Sequence, residues 1–217
     1  MEKLDYGTGY FTSGYYKETV NTPSVKYPSV SEFFAEHGVS KVLDLGCGVG
    51  RHTIPLARDG FNVFALDYSM MAVKTARRLL RENSLKARFI VYDMDMGLPY
   101  KESFFDAVFA SRVVYQAKVK VIQKRIGDIW RVLKDGGYFY WEGPTYKTPY
   151  PSAEGVKRKT VEAGTTISIG GPFSGECYHR FRTKRELERT LKGFRIVRMD
   201  FKGKEFRVLC QKKVNEG

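Results

Sequence analysis

Val42-Leu43-Asp44-Leu45-Gly46-Cys47-Gly48-Val49-Gly50 is the stretch that decides the fold. Four largely apolar residues run directly into glycines at alternate positions. Glycine lets a backbone turn sharply and approach a ligand closely, and the amides that open a following helix attract an anionic group. The stretch therefore predicts a buried strand, a ligand-binding turn and then a helix.

The hundred residues from this stretch onward alternate between strand and helix patterns. Strands are predicted at residues 41–45, 61–66, 87–92, 105–110 and 138–142. One helix is predicted to be capped by Ser69, with its inner face formed by Met70, Val73, Ala76 and Leu80. A later helix carries Ile122, Ile126, Ile129 and Leu133 and is predicted to end at residues 134–137. Right-handed crossovers then place helices on both faces, which predicts an α/β, Rossmann-like, doubly wound and mostly parallel sheet.

The C-terminal third departs from this alternation. Residues 143–178 are rich in proline and glycine and are predicted to form an insertion near the carboxyl edge of the sheet. Residues 183–186 have a capping-box pattern, which predicts a helix that stops at Gly193. Residues 194–201 and 205–211 then predict a closing antiparallel hairpin. We expect one domain over residues 1–217, in which a short helix over residues 30–37 follows an aromatic-rich N-terminal segment, residues 1–30.

Three features of the glycine turn favour S-adenosylmethionine over NAD as its ligand. The spacing is Gly-x-Gly-x-Gly, whereas dinucleotide sites have Gly-x-Gly-x-x-Gly. Asp44 lies two residues before the first glycine, where a carboxylate can organise the loop and face a cationic ligand. Asp67 ends the second strand, where it can accept hydrogen bonds from both ribose hydroxyls. NAD enzymes share this last feature, so the first two must discriminate.

From about Val42 to Glu142 the chain resembles the class I methyltransferase family. Beyond the glycine turn, the resemblance lies in residues 65–69, 92–94, 105–111 and 131–137, in this order and spacing. It implies that the backbone of Gly46, Cys47 and Gly48 contacts the methionine part of S-adenosylmethionine, and that Asp67 holds the ribose. It also implies that Asp93 accepts a hydrogen bond from the adenine amino group, with the Met94 amide and side chain against the ring. The full set of expected cofactor contacts is Asp44, Gly46, Cys47, Gly48, Asp67, Tyr68, Asp93, Met94, Ser111 and Tyr10.

Three shorter stretches resemble the tellurite-resistance type of small-molecule methyltransferase. They are residues 9–12 with Tyr15 soon after, residues 50–57 and residues 181–187. The N-terminal match implies that the aromatic side chains of residues 1–30 close over the cofactor as a lid.

The catalytic residue is unknown from the sequence, and His52, Tyr115 and His179 are candidates. In methyl transfer the cofactor carries the reactivity, while the protein supplies alignment and a dry pocket. His52 and His179 have packing roles as alternatives. Arg112 and Tyr115 follow strand four, on the side expected for substrate. Glu142, beside Trp141, ends strand five, where the pair could bind a cationic or aromatic substrate or simply complete the core.

The composition limits the class of protein. Hydrophobic residues make up 42% of the chain and aromatic residues 14%, as in a folded domain. No apolar run approaches the roughly 20 residues that cross a bilayer, and the N-terminus lacks a secretory pattern. Three widely spaced cysteines give neither a disulfide framework nor zinc spacing. We therefore expect a cytoplasmic protein with no membrane partner and no metal.

The charge is strongly basic and unevenly distributed. The net charge is +13, and residues 180–213 hold 13 basic residues against four acidic ones. A basic surface attracts RNA or anionic partners, although a solvated face rich in lysine and arginine is the simpler interpretation. We expect weak nucleic-acid binding at most.

The function expected from these features is methyl transfer to a small-molecule acceptor. The alternative is a methyltransferase acting on RNA or protein through the basic C-terminal surface. Against it, strand four ends in Ala110-Ser111-Arg112-Val113 and lacks the Asn/Asp-Pro-Pro-Tyr/Phe motif of many amino-directed nucleic-acid methyltransferases. A binding protein without turnover is disfavoured by the intact Asp44, glycine and Asp67 set, and an aminopropyl transferase by the lack of an evident acidic pocket. The acceptor and the oligomeric state stay open.

Overall fold

The computed structural model of the protein describes residues 27–149, 156–170 and 174–214. Within them the helices are α1 (Tyr27–Glu36), α2 (Thr53–Arg58), α3 (Met70–Glu82), α4 (Val119–Val132) and α5 (Lys184–Thr190). The strands are β1 (Lys41–Leu45), β2 (Asn62–Asp67), β3 (Arg88–Val91), β4 (Phe105–Ser111), β5 (Leu133–Pro144), β6 (Lys157–Glu162), β7 (Thr165–Ile169), β8 (Cys177–His179), β9 (Phe194–Lys202) and β10 (Glu205–Lys212). A 3-10 turn, Met94–Met96, follows β3.

Seven strands form the central sheet in the order β3-β2-β1-β4-β5-β10-β9. The first five run parallel, β10 runs antiparallel to β5, and β9 runs antiparallel to β10. The order reverses between β1 and β4, which opens a crevice at the carboxyl ends of these strands. The predicted α/β doubly wound sheet with its closing antiparallel hairpin is confirmed.

Apolar side chains cover both faces of this sheet. On one face, Phe34 of α1 and Leu56 of α2 pack with Phe109 and Tyr140. On the other face, α4 and α5 contribute a larger cluster that includes Ile122, Ile126, Ile129, Leu187 and Leu191. Helices therefore flank the sheet on both sides, as predicted.

Two details of the predicted helices are wrong. Ser69 caps α3 as predicted, since its hydroxyl accepts the amide of Ala72 at 3.3 Å, but Met70 is 51% exposed. Met70 lies in the first turn, beyond the end of β2, so the inner face begins at Ala72 and Val73. The helix α4 ends at Val132 rather than at residues 134–137, because β5 already begins at Leu133, which pairs with Phe105. A register shift between Phe105 and Ala107 absorbs the extra residues.

The predicted insertion contains a small antiparallel sheet in the order β6-β7-β8. It is attached beside the carboxyl edge, because the His179 amide donates to the Tyr115 carbonyl at 3.0 Å. The Val119 amide, at the start of α4, also donates to Glu162 Oε1 at 2.6 Å. The insertion therefore stands next to the loop that follows β4.

The helix predicted from the capping-box pattern at residues 183–186 is present as α5. Thr183 caps α5 through a 3.2 Å bond from the Glu186 amide, although Glu186 in turn accepts the amide of Arg182 rather than that of Thr183. The helix ends at Thr190, before Gly193.

The predicted lid, residues 1–30, lies outside the described residues except for its last four, which begin α1. No helix in the described part is long and apolar enough to cross a membrane.

Candidate cofactor and acceptor site

The glycines of the turn after β1 are required for different reasons. Gly46, Gly48 and Gly50 all have positive φ angles, of 71°, 52° and 93°. A Cβ on Gly46 would lie 2.5 Å from Cγ2 of Val113, so the loop after β4 excludes any side chain there. A Cβ on Gly48 would meet none of the described residues within 4 Å. Among these residues, the turn is thus packed against Val113 at Gly46 and borders open space at Gly48.

The carboxylate of Asp67 lies against this turn. Its Oδ2 accepts the amide of Gly48 at 2.8 Å, and its Oδ1 accepts the amide of Ser69 at 2.9 Å. Burial raises the pKa of the Asp67 carboxyl, and the amides of Ser69, Gly48 and Tyr68 oppose the rise. Each oxygen keeps further lone-pair capacity, so the carboxylate can accept ligand hydroxyls beside the open space at Gly48.

Asp44 is buried beneath the turn at 2% exposure. Its Oδ2 accepts the hydroxyl of Thr53, the first residue of α2, at 2.6 Å. Burial raises the pKa of the Asp44 carboxyl to about 7, with a further contribution from Asp67, while the Thr53 hydrogen bond acts in the opposite direction. A nearby cation would favour its ionised form, so Asp44 is suited to the positive charge of a ligand held by the turn.

Cys47 is a buried free thiol in the same turn. Burial, together with the charges of Asp67 and Asp44, raises the pKa of Cys47 well above its ordinary value. Because the thiolate is the nucleophilic form, Cys47 is suited to packing in the turn and to a backbone contact.

The turn after β3 borders the same edge. The Tyr92 amide donates to the Asp67 carbonyl at 2.9 Å, which places Asp93 beside the end of β2. Asp93 caps the 3-10 turn by accepting the Asp95 amide at 2.9 Å. The Met94 side chain is buried in the core, which favours a backbone contact over the predicted side-chain contact. Tyr68 is 41% exposed at the edge.

On the other side of the glycine turn, β4 and β5 carry a polar group. Ser111 is in register with Glu142, and its hydroxyl donates to Glu142 Oε1 at 2.5 Å. The Tyr140 hydroxyl donates to Glu142 Oε2 at 2.7 Å, and Arg207 Nε lies 3.8 Å from the same oxygen. Arg112 pairs instead with Glu205. Trp141 faces the opposite side, in the core.

The three catalytic candidates are all buried. His179 and Tyr115 are joined by the bond from the His179 amide to the Tyr115 carbonyl, whereas His52 packs in the cluster on the other face of the sheet. His52 packs its ring 4.7 Å from that of Phe109, and burial lowers the pKa of His52 to about 3, with help from Arg51 and Arg112. His179 is held at Nδ1 by Thr165, 2.8 Å away, and at Nε2 by Glu186, 3.1 Å away. Tyr115 belongs to the core cluster. Packing accounts for all three positions, and the catalytic assignment stays a prediction.

Residues 42–137 match the family description of a methyltransferase domain. This segment, just under half of the chain, is similar to methyltransferase domains. It begins at the glycine turn and includes Asp44, Asp67, Asp93 and Ser111. The resemblance identified from these motifs is therefore confirmed, and the domain contains every predicted cofactor residue except Tyr10, which lies outside the described residues.

Curated relatives share the methyltransferase domain over part of their length. An uncharacterised methyltransferase of Synechocystis sp. is 37% identical over 99 residues, which are 46% of this chain and 44% of the relative. A glycine/sarcosine N-methyltransferase of Parasynechococcus marenigrum is 28% identical over 158 residues, 68% of this chain and 54% of the relative. The chain thus spans about half the length of these relatives.

Solved structures share the fold over most of the chain. An S-adenosylmethionine-dependent methyltransferase from Clostridium acetobutylicum has a TM-score of 0.71 at 16% identity, covering 97% of this chain and all of that one. TehB from Haemophilus influenzae, of the tellurite-resistance type, has a TM-score of 0.67 at 16% identity, covering 92% and 66%. A Burkholderia thailandensis 1,6-didemethyltoxoflavin-N1-methyltransferase with bound substrate and S-adenosylhomocysteine has a TM-score of 0.69 at 17% identity, covering 97% and 88%. At these identities the likeness establishes a shared fold.

The residues of this segment fit S-adenosylmethionine, the cofactor expected from the sequence. The open space at Gly48 gives the ligand room against the backbone. Asp67 borders that space with acceptor oxygens, and the buried Asp44 adds a carboxyl group on the side of the glycine turn. In the described ranges, no cluster of histidine, cysteine and acidic residues could hold a metal ion.

Several site residues were not predicted from the sequence. Thr53 holds Asp44, Tyr140 and Arg207 hold Glu142, and Arg125 contacts two loops of the site. Period-two alternation along β5 places Tyr140 on the same face as Glu142 and could have revealed it. Arg125 is a charged residue between Ile122 and Ile126 on the apolar side of α4, which was the available signal.

Proposed function

We propose that this protein transfers a methyl group from S-adenosylmethionine to a small-molecule acceptor. The observation that carries the cofactor assignment is the Asp67 carboxylate, which is bound to the Gly48 amide beside open space. Asp67 would hold the ribose, the backbone of residues 46–48 would contact the methionine part, and Asp93 would accept from adenine. The cofactor supplies an electrophilic methyl group, and the chain aligns it and excludes water.

The proposed acceptor lies over the ends of β4 and β5. Ser111 donates its proton to Glu142, so the remaining lone pairs of its Oγ are available to an N–H or O–H group of a bound molecule. Tyr140 and Arg207 hold the Glu142 carboxylate, which fixes the orientation of Ser111. His52 is neutral near pH 7 and packs against Phe109, which stacks on Tyr140, so it contributes shape rather than charge.

Two observations support a small acceptor. The sheet β6-β7-β8 stands beside the loop after β4, where it can enclose a compact molecule. Two of the similar proteins are, by name, methyltransferases of glycine or sarcosine and of 1,6-didemethyltoxoflavin, both small molecules.

The basic C-terminal surface gives the RNA or protein alternative little support. Several of its cations are already engaged within the protein. Arg207 pairs with Glu205, and Lys212 donates to the Leu133 carbonyl and pairs with Asp135. Arg180 donates to the Thr148 carbonyl, and Arg195 to Gln211. These contacts reduce the number of cations in position to contact a phosphate backbone.

Incubation with methyl-labelled S-adenosylmethionine and either total RNA, total protein or a mixture of cell metabolites tests the proposal. We expect label in the low-molecular-weight fraction, and expect less of it from Asp67→Asn when S-adenosylmethionine is limiting. Label entering RNA or protein at an enzymatic rate would overturn the small-molecule assignment. Absence of calorimetric binding of S-adenosylmethionine would overturn the cofactor assignment as well.

A further inference from the structure

Two loops border the proposed cofactor site from opposite sides. The 3-10 turn Met94–Met96 follows β3, on the side proposed for adenine. Residues 112–118, which we call the β4–α4 loop, follow Ser111 on the side of methyl transfer. In the sheet, β2 and β1 lie between β3 and β4, so the cofactor must span the distance between these loops.

The side chain of Arg125 contacts both loops from α4. Its Nε donates to Asp95 Oδ1 at 2.7 Å, within the 3-10 turn. One terminal nitrogen donates to the carbonyl of Val114 at 3.0 Å, with the Gln116 and Val113 carbonyls at 3.3 and 3.4 Å. The side chain is only 9% exposed, so these charge-assisted bonds are weakly screened by solvent.

The β4–α4 loop in turn contacts the glycine turn. The Val113 side chain occupies the space where a Cβ on Gly46 would lie, within 2.5–2.9 Å. A continuous series of contacts therefore runs from Asp95 through Arg125 and Val113 to Gly46. It joins three of the chain segments that surround the proposed cofactor.

Only an arginine can make this set of contacts. A guanidinium has five N–H donors in a rigid, planar fork, so it can bind a carboxylate on one side and carbonyl groups on the other. A lysine presents its three N–H donors from a single atom, so it lacks the separate nitrogens that here face Asp95 and the Val114 carbonyl. The cost of burying a charge between Ile122 and Ile126 is offset because both loops supply partners.

We propose that Arg125 is a positioning residue, which fixes the 3-10 turn and the β4–α4 loop at the separation that the cofactor spans. The inference rests on the proposed cofactor but concerns how the site is held together, rather than the group that reacts. Without Arg125, the two loops would move independently, and binding would have to order them.

Arg125→Met and Arg125→Lys test this role, with Arg131→Met as the matched control. Arg131 lies on the same helix, and its guanidinium also donates to two carbonyls, those of Tyr100 and Leu98, at 2.7 and 2.8 Å. In variants that are folded by circular dichroism, we expect Arg125→Met to weaken S-adenosylmethionine binding at least about tenfold, without rescue by lysine. Arg131→Met should lower Tm and leave affinity within about twofold.

Hydrogen exchange of the ligand-free protein provides a readout that does not need the cofactor. We expect amides 93–97 and 112–118 to exchange faster together in Arg125→Met and at wild-type rates in Arg131→Met. Asp95→Asn, which removes one charge and keeps the shape, should act in the same direction and serves if Arg125→Met does not fold. Equal affinity losses in Arg125→Met and Arg131→Met, or unchanged exchange in both loops, would overturn the positioning role. If the wild-type protein fails to bind S-adenosylmethionine, the proposed function fails and the exchange result still decides whether Arg125 couples the loops.

Discussion

The Oδ2 atom of Asp67 accepts the backbone amide of Gly48 at 2.8 Å, which joins the end of β2 to the glycine turn after β1. One carboxylate therefore both orders the turn and borders the space that the turn leaves open. The shape of the proposed cofactor site and its main hydrogen-bond acceptor depend on the same side chain.

Replacement of Asp67 should weaken cofactor binding. Asp67→Asn keeps the size of the side chain but loses the charge. It also replaces one acceptor oxygen with an N–H donor, which would face the Gly48 or Ser69 amide. Loss of charged acceptors for ribose hydroxyls costs about 1.5–3 kcal/mol, on the order of ten- to a hundredfold in affinity. Calorimetry measures this effect, and Asp106→Asn, at the start of β4, is the control. Unchanged affinity in folded Asp67→Asn would mean that the ribose is held elsewhere.

Gly48→Ala should abolish S-adenosylmethionine binding while lowering the free energy of unfolding no more than a matched control substitution does. Gly48 and Gly38 both have positive φ angles, 52° and 67°, and a Cβ at either position meets no atom of the described part of the chain within 4 Å. Both substitutions should therefore lower the free energy of unfolding by about 1 kcal/mol through backbone strain. Only Gly48→Ala adds a methyl group in the open space beside Asp67, so it alone should abolish S-adenosylmethionine binding. Equal binding by the two variants would show that the cofactor does not pass Gly48.

Gly46→Ala should be far more destabilising than Gly38→Ala. The φ angles are similar, 71° and 67°, so backbone strain is matched, but the new Cβ at Gly46 would lie 2.5 Å from Val113 Cγ2. Such overpacking adds about 1–3 kcal/mol to the loss. Denaturant unfolding compares the two, and Val113→Ala in the Gly46→Ala background should recover part of the difference. No recovery would mean that the contact with Val113 is not the cause.

The stability of the domain should show two opposing pH dependences. Burial raises the pKa of Asp44 from an ordinary 3.8 to about 7 in the folded protein. Between these values the folded protein keeps a proton that the unfolded chain has released. The free energy of unfolding therefore falls as pH rises from about 4 to 7. His52 has a folded-state pKa of about 3 against 6.5, so the unfolded chain takes up a proton first, and the free energy of unfolding falls as pH falls from 6.5 to 3.

Single variants should reveal each dependence. His52→Gln keeps only the Asp44 effect, so its free energy of unfolding should fall more steeply than that of wild type as pH rises from 4 to 6.5. Asp44→Asn keeps only the His52 effect, so its free energy of unfolding should fall more steeply than that of wild type as pH falls from 6.5 to 4. Urea unfolding at several pH values measures both slopes. Parallel curves for wild type and Asp44→Asn would show that this carboxyl is ionised in the folded protein.

The sequence predicts the cofactor side of the site better than the acceptor side. Asp44, Gly46, Gly48 and Asp67 follow directly from strand ends and glycine spacing, because such turns allow few residue types. The Glu142 contacts could not be predicted in the same way. Arg207 is 65 residues further along the chain and reaches Glu142 only because β10 pairs with β5.

The burial of His179 was equally difficult to predict. Its two ring partners come from β7 and α5, on either side of it in the chain, and only the folded insertion brings them together.

The exposure of Met70 shows a limit of helical periodicity. Helical periodicity gives the face on which a residue lies, but it does not show where the sheet beneath that face ends.

The insertion after β5 leaves and re-enters the domain at adjacent points. Thr145 forms a bridge with Phe181, and the Tyr146 amide donates to the Phe181 carbonyl at 3.0 Å. Because the two ends of the insertion are bonded to each other, its length and sequence can change without moving β5 or α5. A change confined to this insertion would therefore leave the proposed cofactor contacts, which lie upstream in residues 44–94, in place.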